Sequence, residues 1–232
     1  MIKVRKSNER GHFDHGWLDT YHTFSFAHYN DPDFMGFGSL CVLNEDKIQP
    51  GTEFGSHPHK DMEIITYLLS GELTHKDSMG NGSTIYPGDI QRMTAGSGIF
   101  HSESNNSKYT TTHLFQIWVF PDKKGRQPEY EQKTFPFPGK QNALRMIISP
   151  DGTDNTIRIH QDLYMYDSTL ERGQSLTYRF VKKRCGWIQL ASGELHVNGD
   201  LLAAGDGAAI SSERDIIFKA ETDCEFILFD LA

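Results

Sequence analysis

The sequence predicts an all-β protein built as two tandem β-barrel lobes. Three observations carry this. Apolar residues at the 3.6-residue spacing of an amphipathic helix are nearly absent. Short apolar or alternating runs recur at roughly 8–12-residue intervals, each closed by Gly, Pro, Asn or Asp. One stretch of the chain also repeats another.

Taken in order, the run EIITYLL from Glu63 is closed by Ser70-Gly71, and LFQIWVF from Leu114 by Pro121-Asp122. Near the end come WIQL from Trp187 and FILF from Phe226. The repeat joins YLLSGELTHKDSMGNGSTIYPGDI, from Tyr67, to QLASGELHVNGDLLAAGDGAAI, from Gln189. Each has a strand, Ser-Gly-Glu-Leu, a second strand, then Gly-Asp before a third. Gly71 thus matches Gly193, and Gly88 matches Gly205. The segment DKKGRQPEYEQKTFPFPGKQN, residues 122–142, is polar and rich in Pro and Gly and reads as a linker. The boundary is placed near 138, which makes residues 1–138 one lobe and 139–232 the other.

Composition excludes several function classes. A net charge of −8 without a basic stripe argues against direct nucleic-acid binding and against anionic membrane surfaces. Lys123-Lys124 and Lys182-Lys183-Arg184 are too short to count as such a stripe. Cys41, Cys185 and Cys224 are scattered, with no Cys-x-x-Cys pair, as in a reducing compartment. The opening MIKVRKSNERGHFDHGW has no apolar core of a signal peptide, and no run has the length of a membrane span. A soluble cytoplasmic protein is expected, taken here as a monomer.

The chemistry concentrates in two short motifs. His57-Pro58-His59 places two imidazoles on one face of a strand, with Cα atoms about 6–7 Å apart. His101-Ser102-Glu103 has the same spacing and follows the glycine-rich turn Ala95-Gly96-Ser97-Gly98. On neighbouring strands the two pairs would offer three nitrogens and a carboxylate oxygen to one ion. Such a set suits Fe, Mn, Ni, Co, Cu or Zn and leaves coordination positions open. His12, His15, His22, His28, His75, His113, His160 and His196 are dispersed and read as packing or surface groups. No Ser-His-Asp arrangement, phosphate loop or dinucleotide fingerprint is present.

The pattern Gly51-x5-His57-x-His59-x3-Glu63-x7-Gly71 resembles the first motif of cupins, and Gly88-x7-Gly96-x-Gly98-x2-His101-x3-Asn105 the second. HPHKDMEIITYLLSGELTHKDSMGN, QRMTAGSGIFHSESN and WLDTYHTFSFAHYNDPDFMGFGSL are similar to the pirin family, and within it to bacterial members linked to quercetin 2,3-dioxygenase activity. The likeness implies a bicupin of two jelly-roll lobes. It puts the ligands at His57, His59, His101 and Glu103. It makes Fe(II) the first metal to consider, with Ni, Mn, Co, Cu and Zn also compatible. The carboxylate ligand of general cupins would fall at Glu63, read here as a hydrogen-bonded group beside the ion. The second lobe carries Arg179, Val181 and Phe218 at the ligand positions and is expected to hold no metal.

The implied activity is oxygenase chemistry on an aromatic small molecule, a flavonol, with dioxygen as co-substrate and Glu103 as general base. The alternatives are a non-enzymatic iron-binding regulatory protein with a protein partner, as for eukaryotic pirins, or another cupin reaction on a different small molecule.

Overall fold

The structure is a computed structural model that describes residues 1–232. It is all β, with two short 3-10 helices and no α-helix. No helix is long and apolar enough to cross a membrane. The chain opens with β1 (Ile2–Arg5). There follow β2 (Gly11–Asp14), β3 (Leu18–His22), β4 (Leu40–Ile48), β5 (Glu53–His59), β6 (Glu63–Ser70), β7 (Leu73–Asp77), β8 (Gly82–Ile85), β9 (Asp89–Thr94), β10 (Ile99–Ser104), β11 (Thr112–Val119) and β12 (Glu129–Thr134). The second half holds β13 (Arg145–Ser149), β14 (Ile157–Arg158), β15 (Leu163–Leu170), β16 (Ser175–Arg179), β17 (Cys185–Ser192), β18 (Glu194–Val197), β19 (Asp200–Ala203), β20 (Gly207–Ile210), β21 (Asp215–Ala220) and β22 (Cys224–Leu231).

Two compact units result, Gly11–Phe135 and Met1–Arg10 with Pro136–Ala232. The first ten residues therefore group with the C-terminal half, whereas the sequence reading placed them in the first lobe. The reason is local. β1 pairs antiparallel with β20, and Ile2 and Val4 pack on the apolar cluster of that unit. Asp206 accepts from the Ser7 backbone N–H at 2.6 Å and pairs with Lys6 Nζ at 2.8 Å. The supposed linker also contains a strand. β12 is the edge of its sheet, so only one side must pair, and an edge tolerates polar residues. Its Glu129 and Glu131 meet the buried Arg92 at 3.3 Å each.

The Gly11–Phe135 unit has a seven-stranded sheet ordered β12-β9-β6-β11-β4-β3-β2 and a four-stranded sheet ordered β5-β10-β7-β8. Leu18, Ile48, Leu68, Leu73, Ile85 and Leu114 form one buried cluster, and Ile64, Met93, Ala95 and Ile99 another. The repeated Ser-Gly-Glu-Leu has a steric basis. Gly71 and Gly193 have φ of +83° and +77°. A Cβ there would lie 2.8 Å from Thr111 O and 2.1 Å from Asp223 O, respectively. Only glycine satisfies both demands.

Candidate functional site

Strand alternation and register bring the two histidine motifs together. β5 and β10 are antiparallel neighbours, with His101 opposite His57 and Ile99 opposite His59. The register slips between His101 and Glu103, so Glu103 faces Phe54 and Gly55 lies in an irregularity of β5. His57, His59 and His101 form a triangle with ring centroids 4.4–4.9 Å apart. Their nitrogen donors lie within 4.8 Å of one another. Glu103 belongs to an adjoining set with His75 and His101, at the same limit. Its two carboxylate oxygens both accept from Gln116 Nε2, at 3.1 and 3.0 Å.

The hydrogen bonds assign the histidine tautomers. His57 Nδ1 lies 2.8 Å from Gly55 O, a carbonyl that can only accept, so Nδ1 carries the proton and Nε2 keeps a lone pair. His75 Nε2 lies 3.1 Å from Asp77 Oδ2, and His75 Nδ1 lies 3.4 Å from His101 Nδ1. With Asp77 ionised, His75 donates to it through Nε2–H, so its Nδ1 accepts from His101 Nδ1–H. His101 Nε2 is then a lone-pair donor. It is buried and has no partner in the protein. A chain of carboxylate, histidine and histidine thus aims one nitrogen at the centre of the triangle, the arrangement by which outer partners orient metal ligands. The donor set and this orphaned nitrogen fit a divalent ion.

Electrostatics agrees with neutral imidazoles. Burial pushes His101 down to about 2, aided by His57, His59 and His75. His59 falls to about 4 through burial and the neighbouring His57. Burial also pushes the Glu103 carboxyl up to about 7, partly offset by the Gln116 hydrogen bond.

These groups face a cavity of about 460 Å³, within the usual range for a small-molecule site. Its walls include Trp17, Phe54, Phe26 and Trp118. Trp17 meets Phe54 edge-on at 4.9 Å, Phe26 meets Trp118 at 5.2 Å, and His59 meets Trp118 at 4.8 Å. On the seven-stranded sheet, beside Trp118, runs a polar row. His22, Asn44, Gln116, Thr66 and Gln91 are in register across β3, β4, β11, β6 and β9. Asp46, one pleat along β4, also lines the cavity. Burial raises its carboxyl to about 7, against a hydrogen bond from Thr20.

Glu63 is not in this cluster. It alternates with Ile64 and Thr66 on β6, so it points to the other face of the sheet, where Thr94 Oγ1 donates to it at 3.1 Å. The expectation of a carboxylate beside the ion is corrected accordingly. His22, read as a packing residue, does pack on Phe13 and Phe26, but it also lines the cavity. His75, which reads in the sequence as a packing or surface group, stands behind His101; His75-Lys76-Asp77 has the same i, i+2 spacing as the two ligand motifs. Asn44, Asp46 and Gln116 carried no motif; their only signal was polar residues inside otherwise apolar runs.

Known proteins complete the picture. The family model Pirin matches residues 3–119, and one described as the quercetinase C-terminal cupin domain matches residues 146–231. A protein of Escherichia coli strain K12 named quercetin 2,3-dioxygenase is 47% identical over 232 residues, covering 100% of this chain and 99% of its own. A pirin-like protein of Caulobacter vibrioides is 42% identical over 233 residues, covering 100% of both. The crystal structure of the bacterial pirin YhhW from Escherichia coli, in complex with nickel(II), superposes with a TM-score of 0.95. It is 45% identical and covers 100% of this chain and 99% of that one.

Proposed function

The chain belongs to the pirin family, and from that premise we propose that it is a metal-dependent dioxygenase that opens a flavonol ring, with quercetin as the first substrate to test. The observation that carries this is the His57–His59–His101 triangle, with the orphaned Nε2 of His101 inside an aromatic-walled cavity. His57, His59 and His101 would hold the ion, with Glu103 as the carboxylate beside it. When bound, the ion supplies Lewis-acid polarisation and redox chemistry. Fe(II) is the first ion to load and nickel the second, because nickel occupies the Escherichia coli relative's structure.

The protein's own residues set up the rest. Trp17, Phe26, Phe54 and Trp118 present flat apolar surfaces that hold an aromatic ring and exclude water from it. Gln116 fixes both oxygens of Glu103, so the carboxylate is aimed into the cavity before a ligand arrives. Glu103 then takes the proton of the flavonol 3-hydroxyl as general base. Holding the ring and the base together replaces an encounter in solution with a fixed geometry.

Metal-loaded protein is incubated with quercetin and oxygen, and loss of the flavonol absorbance is followed. Turnover is expected with Fe(II) or nickel and is lost in Glu103→Gln. Absence of turnover with Fe, Mn, Ni, Co and Cu would sink the reading.

A further inference from the structure

Three buried acceptor oxygens on residues that line the cavity have no hydrogen-bond donor in the protein: Asn44 Oδ1, Asp46 Oδ1 and Gln116 Oε1. Asn44 and Asp46 are 4% and 5% exposed and border this cavity. They stand two residues apart on β4 and share a face, and Gln116 lies directly opposite Asn44 on β11. Gln116 is fixed in sense, because its amide nitrogen donates to Glu103 and leaves the oxygen turned away. Thr20 donates to the Asp46 carboxyl, yet Oδ1 remains open.

The array therefore begins beside Glu103 and runs along the seven-stranded sheet as acceptors without donors. Buried acceptors are costly to leave unmade, so a ligand that brings donors is favoured over an otherwise identical one that does not. The aromatic walls call for a flat ring. A ligand with both properties is a polyhydroxylated aromatic.

We infer that Asn44, Asp46 and Gln116 form a hydroxyl-recognition subsite through which the cavity selects aromatic ligands by the number of their ring hydroxyls. This rests on the reading of the cavity as a flavonol site and extends it to specificity.

The test is a hydroxylation series of 3-hydroxyflavone, galangin, kaempferol and quercetin. These share one ring frame and carry one, three, four and five hydroxyls. Dissociation constants are measured by calorimetry under nitrogen, so no turnover intervenes, and at about pH 8, above the Asp46 titration, so that its carboxylate is an acceptor. At least one step in the series should tighten binding of the wild type about tenfold, the scale of one hydrogen bond to a buried partner. Asp46→Leu or Asn44→Leu should reduce that step to within about twofold, whereas Asp46→Asn, which keeps an acceptor oxygen, should preserve it. A flat series in the wild type overturns the inference without recourse to any variant. So does a step that survives both leucine substitutions. Hydroxyl-dependent binding without consumption of quercetin in oxygen would sink the dioxygenase reading and leave the subsite standing. Consumption with a flat series would do the reverse.

Discussion

The two lobes share one plan and differ in what fills it. In the N-terminal lobe the central strands run β9-β6-β11-β4 and face β5-β10-β7-β8; in the C-terminal lobe they run β20-β17-β22-β15, and the smaller sheet is β16-β21-β18-β19. Aligned on Gly71 and Gly193, Thr66 becomes Ile188. The register row Asn44–Gln116–Thr66–Gln91 becomes Tyr166–Leu228–Ile188–Ala208. His75 becomes Val197, Glu103 opposite it becomes Phe218, and His101 becomes Ile216, all three of them in one buried apolar cluster. Arg179, at the place of His57, turns out to Asp215, and Val181, at the place of His59, is exposed. The same barrel thus serves in one copy as a container with polar walls and in the other as a filled core. Loss of the ligands and an apolar filling of the barrel interior go together. A cavity lined by unpaired polar groups costs stability, and a packed core recovers it.

The comparison can be broken at several points. The largest effect is expected at the ligands. His59→Ala or His101→Ala should leave less than about a tenth of the wild-type metal by elemental analysis. Unchanged content would defeat the assignment. Phe218→Ala, at the place of Glu103 by strand register, should do the opposite. It should cost about 3–5 kcal/mol in a denaturant titration, as a cavity in a packed core does, with metal content unchanged.

The polar wall predicts a pH effect in metal-free protein. The Asp46 carboxyl is raised from the ordinary 3.8 to about 7, so the folded state holds that proton more tightly than the unfolded state does. Its contribution to stability is complete below about 3.8 and is lost as pH rises through about 7. Asp46→Asn removes the titration. It should therefore stabilise the protein at pH 8 by on the order of 3 kcal/mol, with the advantage vanishing toward pH 4 in urea titrations. No pH dependence of the difference would mean that the wall is wetter than its burial implies. The smallest effect is expected behind the site. His75→Leu should weaken metal binding about 10–100-fold by removing the acceptor that orients His101. A titration with unchanged affinity would show that packing alone holds that ring.

Much of this was legible in the chain. The strand runs, the Gly-Asp repeat and the two His-x-His/Glu motifs are local patterns, and local patterns survive folding because strand alternation has a fixed period. The same alternation decides Glu63, whose parity on β6 turns it from the cavity toward Thr94. Residues 1–10 belong with the other lobe, and β12 is a strand where the sequence reads as linker, because edge pairing depends on a partner far away in sequence, β20 and β9 respectively.

By itself the sequence determined the class of fold, the two lobes, and which lobe carries imidazoles and a carboxylate at strand spacing. Glycines that must adopt positive φ and residues two apart on a strand need no distant partner to declare themselves. The tertiary structure decided the rest. It set the triangle beside Glu103, the Asp77–His75 chain that orients His101, and the acceptor row of Asn44, Asp46 and Gln116. Those groups come from strands distant in sequence, and only register across the sheets brings them to one cavity.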